Sequence, residues 1–80
     1  MKFKSSGHRV IEAASWEEAA ETFALMKARM QYGKRTCSVR ACRIESVYTD
    51  GSAAECVAFI GRADGEGIIG REVRYTVRKA

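Results

Sequence analysis

The sequence predicts an α+β fold: an antiparallel sheet of about four strands with one amphipathic helix packed on one face, in the order β-α-β-β-β. Three observations predict it. Apolar residues recur at three- and four-residue steps between Trp16 and Tyr32, behind a helix-start signal. Three later segments alternate with a period of two. Asp50-Gly51 stands between the first two of these segments as a hairpin turn signal.

His8 to Ala13 reads as the first strand, with β-branched bulk at Val10 and Ile11. Ser15 follows as a helix cap, and Glu18 lies at the capping-box spacing, where the Ser hydroxyl and the Glu carboxylate each take one orphan backbone N–H. Trp16, Ala19, Ala20, Phe23, Met26 and Met30 then form one stripe of a helix running to about Tyr32. Gly33 supplies the positive φ that ends it. Thr36 to Tyr48 reads as the second strand; its apolar phase moves from Cys37, Val39 and Ala41 to Cys42 and Ile44, which predicts a bulge. Ala53 to Ile60 pairs back after a two-residue turn at Asp50-Gly51. A glycine-rich connection leads to a last strand in which Val73, Tyr75 and Val77 oppose Arg74, Thr76 and Arg78.

The chain of 80 residues makes a single domain, 1–80, with a thin core, and no stretch is apolar enough to span a bilayer. Three cysteines, Cys37, Cys42 and Cys56, in apolar surroundings fit reduced thiols in a cytoplasm better than a secreted disulfide framework. The formal charge is +4, and its sign is unevenly spread. Glu12, Glu17, Glu18 and Glu21 precede Lys27, Arg29, Lys34, Arg35, Arg40 and Arg43, and no acid lies between Glu21 and Glu45. Acids at the helix start and Lys27 and Arg29 near its end suit the helix dipole, so part of this asymmetry serves stability. One helix cannot cover both faces of the sheet, so the fold predicts an open face carrying Arg74 and Arg78; Arg40 shares the parity of Ser38, Arg43 changes role across the bulge, and some of these arginines, the pattern leaving open which, are expected to cluster.

Catalytic and cofactor chemistry find little to stand on. Gly65-Glu66-Gly67-Ile68-Ile69-Gly70 spells a dinucleotide-binding pattern, but a strand follows where a helix is required, and hairpin glycines explain it. Zinc would need His8 to converge with all three cysteines, which lack the tight paired spacing of a structural site. A nucleophile would need a positioned base, and His8 is the one histidine. We therefore expect a non-enzymatic protein without cofactor or metal. Phe3, Tyr48 and Tyr75 offer the aromatic part of a stacking platform for single-stranded nucleic acid, without the paired motif of an RNA-binding sheet.

Val10-Ile11-Glu12-Ala13, then Ser15 with Glu18, Ala19 and Ala20, then Arg43-Ile44-Glu45-Ser46-Val47 before a turn resemble the small phage-encoded anti-CRISPR proteins that inhibit type I surveillance complexes. The resemblance covers about residues 10 to 48. It implies a monomeric inhibitor of a type I system, with type I-C as the candidate subtype, that binds the Cas7 backbone or the Cas8 subunit of Cascade and blocks target DNA binding in an infected bacterial host. Charge position then nominates Lys34, Arg35, Arg40, Arg43, Arg74 and Arg78 as the partner-binding surface, for acidic protein or guide phosphate, with Glu17, Glu18 and Glu21 as an alternative acidic surface mimicking DNA phosphate. A small basic nucleic-acid-binding module or phage regulator using the same arginines is the alternative function, and an assembly subunit pairing through a sheet edge is a third.

Overall fold

In the computed structural model, which describes residues 1–80, the chain forms β1 (Lys2–Ser5), β2 (Ile11–Glu12), α1 (Trp16–Tyr32), β3 (Cys37–Val47), β4 (Ala53–Asp64) and β5 (Gly67–Lys79). The strands make one antiparallel sheet in the order β2-β1-β5-β4-β3, with α1 lying on one face against β3 and β4. The α+β class and the single helix agree with the sequence; the sheet has five strands rather than four. Long strands in a thin sheet make the molecule elongated, 43 × 22 × 19 Å.

The additional strand is β1, and the segment expected to be the first strand supplies only the two residues of β2. Lys2-Phe3-Lys4-Ser5 alternates exposed and buried, but it carries one large apolar residue, too little to announce a strand. His8 to Val10 instead lie outside any strand, in the connection that follows the Ser6-Gly7 turn, where Gly7 takes a φ of 81° that few other residues tolerate.

The helix begins as the capping box requires. Glu18 N–H donates to Ser15 Oγ at 3.2 Å, and Ala14 N–H donates to the Glu18 carboxylate at 3.2 Å. It ends at Gly33, with φ 82° and its N–H on Arg29 C=O. The buried stripe is Ala19, Ala20, Phe23, Ala24 and Ala28. Met30, expected in the stripe, is 73% exposed. A seam of alanines brings the helix close to Ala54, Cys56 and Ala58 of β4, and at that distance a longer side chain such as Met30 falls outside it. Phe23 is fully buried, worth roughly 1.5–3 kcal/mol in transfer free energy. Phe3 and Tyr75 are core residues as well, so neither can stack on a nucleic-acid base. Tyr75 O–H donates to Ala20 C=O at 2.6 Å, tying sheet to helix.

The bulge falls where the apolar phase changes. The β3–β4 register shifts between Arg40 and Arg43, and Ala41 takes φ 51°. A second shift separates Ile44 from Ser46. The Asp50-Gly51 turn is wider than two residues: Gly51 N–H donates to Tyr48 C=O at 2.8 Å, Ser52 N–H caps Asp50 at 3.0 Å, and Gly51 has φ 72°. The glycine-rich connection is itself hairpin, with β4 and β5 paired out to Asp64 and Gly67 around Gly65-Glu66. Gly61 and Gly70 face each other there, and a Cβ on Gly70 would collide with Ile60 backbone.

Candidate interaction face

Cross-strand partners point to the same face of a sheet, so the register fixes what lies opposite the helix. Val73, Tyr75 and Val77 face α1, and their neighbours therefore face away. Lys4, Arg78 and Ala53 form one row of this open face; Thr76, Glu55 and Ser46 form the next. Arg74, Val57 and Arg43 form a third, and Glu72, Phe59 and Arg40 a fourth. The four strand arginines singled out from the sequence thus share one surface, which no element covers. The bulge at Ala41 is what brings Arg40 and Arg43, three residues apart, to the same side.

Carboxylates are interleaved with these cations. Arg74 Nη1 meets Glu45 Oε1 at 3.0 Å, Arg43 Nη2 meets the same oxygen at 3.5 Å, and Arg74 Nη2 meets Glu72 at 3.7 Å. Glu55 accepts hydrogen bonds from Thr76 Oγ1 at 3.0 and 3.1 Å and from Tyr48 O–H at 2.9 Å. That bond to the carboxylate holds the Tyr48 phenol above its ordinary range. Arg40 and Arg78 have no ion pair, nor has Lys4. Val57 is 1% exposed although it points away from the helix, and it stands in register between Arg74 and Arg43. Arg43 and Arg74 are therefore partly structural, whereas Arg40 and Arg78 are free to meet a partner.

Lys34 and Arg35 do not join this surface. They sit in the turn between α1 and β3, and Lys34 lines a shallow depression with Gly7, His8, Arg9, Met26, Arg29 and Met30 at the helix C-terminal end. No carboxylate lines that depression, so its cations are less neutralised than those of the open face. Of the acidic alternative, Glu18 is engaged in the helix cap, while Glu17 and Glu21 flank a small crevice with Cys42 and Arg43. Sequence reasoning missed Lys2 and Lys4, whose signal was the alternation around Phe3. It also missed half-buried Phe59, whose signal was its parity with Val57 in β4.

Cys56 is buried and its thiol is pushed up to about 11 by burial, while Cys42 Sγ lies 3.5 Å from Tyr75 Oη. His8 packs on Phe23 with ring centroids 5.9 Å apart; burial and then nearby Lys27 push its pKa down. His8 and the cysteines form no group of three metal-ligating side chains. No helix is long and apolar enough to cross a membrane.

Compared with protein-family models, curated proteins and solved structures, the chain matches none.

Proposed function

We propose that this chain is a non-enzymatic binding protein, an anti-CRISPR inhibitor that occupies a type I Cascade complex and blocks target DNA binding. The observation that carries the reading is the uncovered sheet face on which Arg40, Arg43, Arg74 and Arg78 stand beside Lys4. A flat face with free guanidinium groups suits an acidic protein surface or guide phosphate, because the planar fork pairs two-pronged with either. Half-buried Phe59 beside Arg40 adds apolar contact on this face. The site residues on this reading are Arg40 and Arg78 first, then Arg43 and Arg74. The proposal carries with it a monomeric state and a cytoplasmic location in an infected bacterial host.

The resemblance to anti-CRISPR proteins selects the partner class; the face itself selects only negative charge. Purified protein mixed with a type I Cascade should co-elute with it and protect DNA from binding. Absence of both would remove the reading.

One observation favours a second function, direct nucleic-acid binding. Arg9, Arg29 and Lys34 gather at the helix end without an acid among them. That cluster would bind phosphate without any protein partner, with affinity falling steeply as salt rises through counterion release. Retention of DNA by the isolated protein at low salt supports this second reading; none at any salt rejects it.

A further inference from the structure

The sheet has an edge inside it. β1 pairs with β5 only along Val77 to Lys79 and stops at Ser5, whose hydroxyl donates to Thr76 C=O at 2.9 Å. Gly7, at φ 81°, then turns the chain away, and His8 N–H closes back on Ser5 C=O at 3.1 Å. N-terminal to that point β5 has a strand on its β4 side alone. Lys79 N–H donates to Ser52 C=O on the β4 side, so by the alternation of an antiparallel strand the backbone groups of Glu72 and Arg74 point to the empty side. They open into a groove of about 590 Å³ between the Ser6–His8 turn and the C-terminal half of α1.

The groove is lined by Lys27, Arg71 and Arg74 against one acid, Glu72, which Arg74 meets at 3.7 Å. Lys27 Nζ lies 5.3 Å from the Tyr75 ring centroid, half-buried, with no carboxylate within ion-pair distance. Arg71 has no carboxylate partner either; its Nη2 and Nε donate to Gln31 Oε1 at 2.8 and 3.3 Å. His8 forms the opposite wall. Burial without a counterion lowers the Lys27 pKa, a cost that an arriving carboxylate offsets.

We propose that this groove binds an extended acidic peptide segment of a partner protein, which adds as a strand to β5 beyond the end of β1 and places carboxylates against Lys27 and Arg71. Alternating free N–H and C=O groups are the complement of a peptide backbone, and strand addition supplies affinity from the main chain and selectivity from the side chains. A nucleic acid offers no such alternation, so the same cations alone would favour it less. The groove lies on the side of β5 toward the helix end, apart from the open sheet face, and its occupant need not be a Cascade subunit.

The probe is a labelled, end-capped peptide of alternating glutamate and threonine, about eight residues or ~26 Å in extended form. It is tested beside a copy N-methylated at alternate amides and an oligothymidylate of similar charge. The intact protein should bind the parent peptide, and the N-methylated copy should lose binding. Glu72 and Arg74 amides should shift and gain exchange protection on titration. Arg71→Glu and Lys27→Gln should each weaken binding by about tenfold or more. Arg71 is exposed, so its variant carries the test if Lys27→Gln fails to fold. No binding of the parent peptide at millimolar concentration overturns the proposal. So does equal binding of the N-methylated copy, or displacement of the peptide by oligothymidylate at lower concentration.

Discussion

Arg74 and Glu45 meet at 3.0 Å across the open sheet face, and the same carboxylate oxygen lies 3.5 Å from Arg43. One acid on the bulged edge strand thus restrains two of the arginines best placed to meet an anionic partner. Because both side chains of the closer pair are substantially exposed, the contact is worth no more than about 1 kcal/mol to the fold.

Replacing that acid should therefore separate binding from stability. Glu45→Gln is expected to leave the melting transition nearly unchanged and to strengthen binding to an anionic partner, with a steeper salt dependence. Weaker binding in this variant would mean that Glu45, not its arginines, makes the contact.

Ala41 bears the strain of the bulge. At φ 51° an L-residue other than glycine is disfavoured by roughly 1–2 kcal/mol. Ala41→Gly should raise stability by up to about 1 kcal/mol in urea unfolding, since relief of strain outweighs the added freedom of the unfolded chain. Ala41→Val should lower it, because β-branching makes the same angle worse. Equal destabilisation by Gly and Val would place the bulge's energy elsewhere.

Gly61 and Gly70 hold the β4–β5 arm together by leaving room for each other. A Cβ at Gly70 meets the Ile60 carbonyl and the Gly61 Cα, both backbone and unable to swing aside. Gly70→Ala should cost about 1–3 kcal/mol, in the range of overpacked interiors. Gly65→Ala meets no atom but must hold φ 61°; its cost should be the smaller of the two, about 1 kcal/mol. Thermal melts of the two variants order these costs directly.

Alkaline pH should weaken the fold from about pH 9 upward. The folded chain holds the Cys56 thiol proton to about 11 against an ordinary 9.0, and burial, with Cys42 beside it, raises the Tyr75 phenol well above its ordinary 10.0. The unfolded chain releases these protons first, so stability is full below the ordinary values and falls as pH climbs through them. The urea midpoint should decline between about pH 9 and 11, and Tyr75→Phe should flatten the part above about pH 10. A midpoint constant across that range would contradict the burial of both groups.

The sequence made the helix and the three long strands legible because each carries a repeated signal: the Ser15–Glu18 cap, the alanine and phenylalanine period, and the alternation around Val73, Tyr75 and Val77. The shift of phase at Ala41 and Cys42 located the bulge, and an open face with Arg74 and Arg78 followed from one helix on a wide sheet; that Arg40 and Arg43 both join it depends on the β3–β4 register across the bulge, which no local pattern gives. β1 was not legible, since one phenylalanine between two lysines specifies a strand only once β5 lies beside it. Met30 was misplaced because the spacing of apolar residues gives a stripe, whereas the width of the stripe depends on how closely the alanines let helix and sheet approach. The helix-end cations were read as dipole partners. What gathers Lys34 with Arg9 and Arg29 there is the turn after Gly7, a tertiary contact absent from any local pattern.

The double variant Arg40→Glu/Arg78→Glu, compared with the parent by size-exclusion co-elution with purified type I Cascade, tests the account most directly. Neither side chain has an ion pair to lose, so the melting temperature should hold. The parent should co-elute with Cascade, and the folded double variant should not. Co-elution of the variant at parental strength, or failure of the parent to associate, would contradict it.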